Sequence, residues 1–217
     1  MKSLTLLSLA ASAAAAVPSV TPVPVAWPGT CTSWPSWLNT GPGGPDTTGS
    51  IMFVPSNVDD TTINGLPLQA QSLPWQGSSR NLLGVTFVAS RHFAKSYFRC
   101  SDGIPNIATS NPWQNLTIAR DSNNAHLLID APEAKTYAPE IYYLEGSDGK
   151  RLDGVYLGAL NQTKWGFAYH EGTCGTNGKA GWPWLEAKLL GLPEDDENPP
   201  TAGYPAEWEG FLKVVVY

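Results

Sequence analysis

Short apolar runs separated by turn-forming residues dominate the pattern of the chain. The segment KWGFAYH has the clearest alternation, and it places Trp165, Phe167 and Tyr169 on one side of an extended backbone. The segment LLGVTFVAS is apolar at both odd-numbered and even-numbered positions, which is typical of a strand buried on both faces. The pattern therefore predicts a mainly β chain built from short strands.

Further strand candidates are bounded by Asp, Asn, Gly and Pro. They are SIMFVP, SYFRC, LTIAR, HLLID and the C-terminal GFLKVVVY. The segment EIYYLEGSDGKRLDGVYLGAL predicts a hairpin that turns at Ser147, Asp148 and Gly149, and a second turn is expected at Asn161. Many short strands at turn-separated intervals predict a single antiparallel β-sandwich or jelly-roll-like domain.

One stretch, GWPWLEAKLLGLP, predicts a short helix near residues 183–190. Pro183 suits the first position of a helix, and Gly191 suits the position just after its end. On such a helix Trp182 shares a side with two leucines, so we expect it to be buried, whereas Trp184 lies off that side.

The N-terminal residues have the layout of a secretory signal peptide. One basic residue, Lys2, is followed by an apolar stretch and by small residues with an A-x-A site that ends near Ala16. The apolar run is too short to span a bilayer, and no later segment is apolar enough to do so. We therefore expect a secreted protein with a signal peptide at 1–16, a Pro/Trp-rich extended segment at 17–49 and a β-sandwich domain at 50–217.

The charge of the chain bears on its partners. The formal net charge is -6, the isoelectric point is about 5.0, and no basic run is present. This balance argues against nucleic acid and against anionic membrane surfaces as partners. A cell-wall polysaccharide or a host surface component is the expected partner.

Three cysteines allow three possible pairings in an oxidising compartment. We favour a Cys100–Cys174 disulfide because each of these cysteines lies just past a strand-like run. The rival is a bridge from Cys31 that ties down the N-terminal segment. Two N-glycosylation sequons begin at Asn115 and Asn161, and both are predicted to lie on the surface.

Local motifs for metal or cofactor chemistry are missing from the sequence. The three histidines, His92, His126 and His170, have neither the H-x-H nor the H-x-x-x-H spacing of a local metal site. The sequence has no G-x-S-x-G, no P-loop and no dinucleotide-binding glycine motif. We therefore expect no metal and no cofactor.

Paired carboxylates are the remaining route to catalysis. A glycosidase needs two of them about 5–10 Å apart. Glu140, Glu171 and Asp130 are the candidates for a polysaccharide-acting hydrolase or lyase, which is the alternative function.

Aromatic residues support a binding function instead. The chain contains 9 Trp, and flat rings surrounded by polar groups suit carbohydrate ligands. Trp75 and Trp113 follow prolines in polar loops, and Trp184 lies off the buried side of the predicted helix, so these three are the candidate ligand-binding residues. The favoured hypothesis is a non-catalytic cell-wall or cell-surface protein that binds polysaccharide or masks the surface in contact with a host.

Overall fold

The computed structural model describes residues 16–39, 46–75, 78–86, 96–108, 113–120, 125–129, 135–171, 183–192 and 206–217. Asp130, Cys174, Trp182 and the predicted signal peptide before Ala16 lie outside these residues. Within them the backbone is almost entirely β, and its one helical element is a 3-10 turn at Thr61–Ile63.

Sixteen strands make up the described part of the chain. The first eight are β1 Val20–Pro24, β2 Trp37–Leu38, β3 Thr47–Thr48, β4 Ile51–Ser56, β5 Leu68–Trp75, β6 Ser78–Thr86, β7 Tyr97–Ser101 and β8 Ile104–Ala108. The other eight are β9 Gln114–Arg120, β10 Ala125–Ile129, β11 Lys135–Tyr137, β12 Glu140–Gly146, β13 Val155–Gly158, β14 Lys164–His170, β15 Trp184–Leu189 and β16 Trp208–Val216.

Nine of these strands close into a barrel. The order around it is β4, β16, β14, β15, β6, β10, β9, β8 and β7, and β7 pairs back onto β4 where Phe98 faces Ile51. The remaining strands lie outside this ring on the edges of β6, β7, β9 and β16. The prediction of a mainly β chain is confirmed, but the sheet closes on itself where a sandwich would have two stacked sheets.

Alternate side chains from all nine barrel strands meet in one buried hydrophobic cluster. Trp165 and Phe167 of β14 belong to it, as their alternation predicts, whereas Tyr169 at the end of the same strand is 38% exposed. The indole N–H of Trp165 donates to the carbonyl of Leu157 at 2.8 Å, so this buried ring has no unpaired polar group. The barrel interior is therefore a packed core.

Residues 183–190, predicted to be helical, are extended and contain β15. Leu185 and Ala187 point into the barrel core, whereas Trp184 and Glu186 point to the opposite side. All six residues of β15 pair with β14, and β6 pairs along its other edge. Backbone pairing on two edges and burial on both faces outweigh the weak local preference for a helix.

Three barrel strands meet at a junction where β6, β10 and β15 each pair with the other two. Gly84 of β6 faces Glu186 of β15, and His126 of β10 faces Lys188 of β15. Leu82 of β6 pairs with β10. Because three ladders diverge here, side chains from three strands converge on a small area outside the core.

The disulfide joins Cys31 to Cys100, with Cα atoms 5.6 Å apart. The favoured pairing of Cys100 with Cys174 is therefore wrong, because Cys100 forms only one such bond. The rival pairing from Cys31 is confirmed. Cys100 faces inward on β7, where the N-terminal segment packs against the barrel, so the bridge ties that segment down.

Candidate functional site

An open cleft of about 410 Å³ lies beside the disulfide, between the segment that follows β1 and the β12 and β13–β14 regions. Trp27 stands at this cleft with 64% of its surface exposed, the largest fraction among the large hydrophobic residues described. Trp34 forms part of the wall and is only 4% exposed, because its ring packs edge-on against Phe53 in the core. One aromatic ring thus anchors the wall while the other is accessible.

Polar groups line the same cleft beside the Trp27 ring. The hydroxyl of Tyr142 donates to Glu140 and accepts a hydrogen bond from the backbone N–H of Asn161 at 3.0 Å. Burial, and secondly the bond to Glu140, raise the pKa of Tyr142 far above its ordinary value. Tyr142 therefore stays a neutral phenol that orients the Glu140 carboxylate.

The segment that carries Trp27 is fixed in place by several contacts. The backbone N–H of Cys31 donates to Asp46 at 2.8 Å, and the hydroxyl of Thr30 donates to the carbonyl of Trp27 at 3.2 Å. Gly103 adopts φ +78°, and a Cβ there would lie 2.2 Å from the carbonyl oxygen of Gly29. Only glycine lets the β7–β8 turn approach this closely. The cleft is thus held in shape without a ligand.

A second, largely buried group of polar side chains lies at the three-strand junction and centres on Glu186. Both carboxylate oxygens of Glu186 bind imidazoles: one bonds Nδ1 of His126, and the other lies 2.7 Å from Nε2 of His170. The Nζ atom of Lys188 lies 3.7 Å from the second oxygen. We call these four residues the Glu186 cluster. The Glu186 and Lys188 side chains are each 3% exposed.

Opposing effects set the ionisation of Glu186. Burial raises its pKa, but hydrogen bonds from His126 and His170 and the nearby charges of His126 and Lys188 lower it more, to about 2. Glu186 is therefore a buried carboxylate that stays ionised. A carboxylate that binds an imidazole commonly orients that imidazole as a base. In this cluster both carboxylate oxygens already have partners.

Close packing shields this cluster. The ring of Trp184 stacks on His170, with centroids 4.7 Å apart and an angle of 15° between the planes. A Cβ on Gly84 would lie 2.3 Å from the carbonyl oxygen of Leu185 and 2.4 Å from the Trp184 ring. The absence of a side chain at Gly84 is thus what lets the indole lie flat over the sheet.

The three tryptophans proposed as ligand-binding residues have different surroundings. Trp184 is buried, with 3% exposure. Trp113 is partly buried, with the guanidinium carbon of Arg99 4.2 Å from its ring centroid. Trp75 ends β5, and its side chain lies outside the described part. The accessible ring beside a cleft belongs to Trp27, which sequence reasoning missed.

The two described candidate carboxylates, Glu140 and Glu171, are not brought together. Glu140 lies in the cleft, whereas Glu171 is exposed just beyond the far end of β14. Since β14 begins close to the cleft residue Asn161, its seven extended residues place Glu171 about 20 Å further along. Asp130 lies outside the described residues.

Both sequons have exposed asparagines, and Asn161 lies at a tight turn between β13 and β14, as predicted. Glycosylation of either remains a prediction.

The described residues contain no group of three or more His, Cys, Asp or Glu side chains suited to holding a metal ion. None of their helical structure is long and apolar enough to cross a membrane. The chain matches no model of a known protein family and no curated protein.

Proposed function

We propose that this protein is a secreted, non-catalytic protein that binds polysaccharide of a cell wall or cell surface through the Trp27 cleft. The observation that carries the proposal is the exposed Trp27 ring beside a cleft with a hydrogen-bonding rim. A sugar ring offers an apolar C–H face to an aromatic ring and hydroxyl groups to the polar atoms around it. Masking of the surface in contact with a host is the biological use that follows from such binding.

Size and rigidity support a binding role. The cleft volume of about 410 Å³ falls within the range of small-ligand sites, about 300–1,000 Å³. Glu140 offers a carboxylate acceptor that the Tyr142 hydroxyl holds at a fixed position. Because the disulfide and the Gly103 contact fix the cleft before a ligand arrives, little ordering entropy is lost on binding.

The alternative, a hydrolase or lyase with two carboxylates, fits the cleft less well. Among the described residues that line it, Glu140 is the one carboxylate. A retaining or inverting glycosidase needs a second carboxylate within about 10 Å. Glu171 lies too far along β14 to supply it. Incubation of oligosaccharides with the protein, followed by chromatography of the products, tests this alternative directly, because only the alternative predicts cleavage.

Secretion receives support from the disulfide. A Cys31–Cys100 bond forms and persists in an oxidising compartment. Detection of the mature chain in culture medium, with sequencing of its N-terminus near Val17, tests this part of the proposal separately.

The binding test is retention on insoluble chitin, β-glucan and cellulose. We expect the parent to be retained on at least one of them, and we expect Trp27→Ala to lower its affinity at least tenfold, as for a central aromatic contact. Trp37→Ala is the matched control, because Trp37 is also exposed, at 37%, but does not line the cleft. Equal losses from both variants, or no retention of the parent, contradict the proposal.

Asn161 lies on the cleft rim, so a glycan there affects access. An Asn161→Asp variant removes the sequon, and Asp tolerates the φ of 61° at this position. Measuring the retention of the parent and of Asn161→Asp distinguishes binding by the cleft from an effect of a glycan attached at its rim.

A further inference from the structure

Four side chains form a continuous patch on the outer face of β7, β8 and β9. Arg99 pairs with Asn106 across one ladder, and Asn106 pairs with Asn115 across the next. The guanidinium carbon of Arg99 lies 4.2 Å from the centroid of the Trp113 ring, which places this indole over the same face. Trp113 thus lies two residues before Asn115 and on the same side of the sheet.

The Asn115 side chain is held in one orientation. Its Oδ1 accepts a hydrogen bond of 2.6 Å from Nδ2 of Asn106. Because Oδ1 faces Asn106, Nδ2 on the other side of the planar amide group faces away from Asn106. Nδ2 is the atom to which an N-glycan is attached, and Asn115 is exposed.

Two polar atoms close to this patch have no hydrogen-bond partner within the described part of the chain. They are Nε of Arg99 and Oγ1 of Thr117, both buried. A buried donor without an acceptor costs free energy, so a native structure usually supplies a partner. The guanidinium of Arg99 lies against the Trp113 ring, so it fixes the position of the indole beside Asn115.

We propose that Asn115 carries an N-glycan whose first N-acetylglucosamine packs against the Trp113 ring. The glycan is then part of the packed surface of the barrel. This inference rests on the secretory part of the proposed function but not on the Trp27 cleft. It also gives Trp113 a role, because its ring supports an attached sugar.

Attachment follows ordinary sequon chemistry. The Nδ2–C1 bond forms as the bond between C1 and the diphosphate of a lipid-linked oligosaccharide donor breaks, and Nδ2 loses one proton. Asn115-Leu116-Thr117 supplies the sequon.

Asn161 provides an internal reference. It also lies in a sequon, but the residue two positions before it is Ala159, which is buried and carries no ring. The glycans at both positions are measured in the same molecule by mass spectrometry of site-specific peptides. Changes at Trp113 should therefore affect the Asn115 glycan and leave the Asn161 glycan unaffected.

The experiment is native release of the glycans by a peptide N-glycanase from protein secreted by a eukaryotic host. A ring contact on the scale of an aromatic pair protects the Asn115 linkage, so Trp113→Ala should speed its release about two- to tenfold. Trp113→Phe should restore most of the protection. An unchanged Asn161 rate confirms that the variant has not unfolded.

A second measurement is a double-mutant cycle in melting temperature with Trp113→Ala and Asn115→Gln. If ring and glycan interact, the sum of the two single losses should exceed the loss measured in the double variant by about 2–4 °C. Additive losses together with an unchanged release rate overturn the proposal. An occupied Asn161 beside an unoccupied Asn115 in secreted protein also overturns it. Failure of the protein to bind polysaccharide would contradict only the function proposed for the Trp27 cleft.

Discussion

The Trp27 cleft and the Glu186 cluster each join a carboxylate to hydrogen-bond donors, but their environments are opposite. In the cleft, Glu140 is exposed and, within the described part of the chain, accepts a hydrogen bond from Tyr142. In the cluster, Glu186 is 2% exposed and both its oxygens are bound. The exposed carboxylate has room for an incoming ligand, whereas the sealed one is already satisfied by its neighbours.

Because of this difference, the cleft and the cluster should contribute to different properties of the protein, ligand binding and stability. A charge in water contributes little to folding, because solvent screens it and competes for its partners. A buried charge must be compensated by its neighbours, and removal of one partner weakens that compensation in a place that water does not reach. We therefore expect substitutions in the cleft to change ligand affinity and substitutions in the cluster to change the free energy of unfolding.

The largest expected effect comes from Glu186→Gln. This change keeps the shape but removes the charge that compensates Lys188 and holds two imidazoles, so the free energy of unfolding should fall by about 3–5 kcal/mol. Glu145→Gln is the control, since Glu145 forms an exposed ion pair with Arg151, worth about 0–1 kcal/mol. Urea denaturation of the three proteins measures both losses. Similar losses in the two variants would contradict the proposed difference between buried and exposed carboxylates.

Acid should reveal the same cluster through its pH dependence. The pKa of Glu186 falls from 4.5 to about 2 in the folded protein, so the folded state favours the ionised form. This contribution, about 3 kcal/mol, is fully present above pH 4.5 and is lost as the pH falls through about 2. Denaturation midpoints measured between these pH values should fall steeply in the parent and less steeply in Glu186→Gln. Parallel curves would mean that another group controls acid stability.

Loss of the disulfide should affect both properties. The paired change Cys31→Ala with Cys100→Ala removes a link across 69 residues and should lower the free energy of unfolding by about 2–4 kcal/mol. It should also weaken ligand retention, because the Trp27 segment loses its anchor. The acid dependence due to Glu186 should remain. Retention equal to that of the parent would show that the cleft does not depend on the bridge.

The smallest effect on stability should come from Trp27→Ala. With 64% of the residue exposed, truncation leaves almost no cavity, and the change in unfolding free energy should stay within about 0.5 kcal/mol. Trp34→Ala is the contrast, because Trp34 is 4% exposed against Phe53 and should cost about 3–5 kcal/mol. Thermal melts distinguish the two rings. A large loss from Trp27→Ala would assign that ring to the fold.

Strand prediction succeeded where alternation was visible without tertiary knowledge. KWGFAYH forms β14 and the β12–β13 hairpin turns at Gly149, which has a φ of 74°. Prediction failed at β15, because Trp184, Glu186 and Lys188 alternate with core residues, yet both faces are buried. A strand buried on two sides carries no clear amphipathic signal, so local helix features misled the assignment.

The candidate site was less predictable than the fold. Ring accessibility depends on what packs against each tryptophan, and composition does not distinguish Trp27 from Trp34. The partners of Glu186 lie 60 residues before it, at His126, and 16 residues before it, at His170. Strand pairing alone brings them together.

The sequence by itself determined the β character, the positions of several turns and the candidate sequons, because these depend on residues close together in the chain. Only the tertiary structure decided closure into a barrel, the Cys31–Cys100 pairing, the accessibility of Trp27 and the assembly of the Glu186 cluster. Each of these arises from contacts between residues far apart in sequence. Local preferences leave such contacts open, and the packing of the whole chain selects among them.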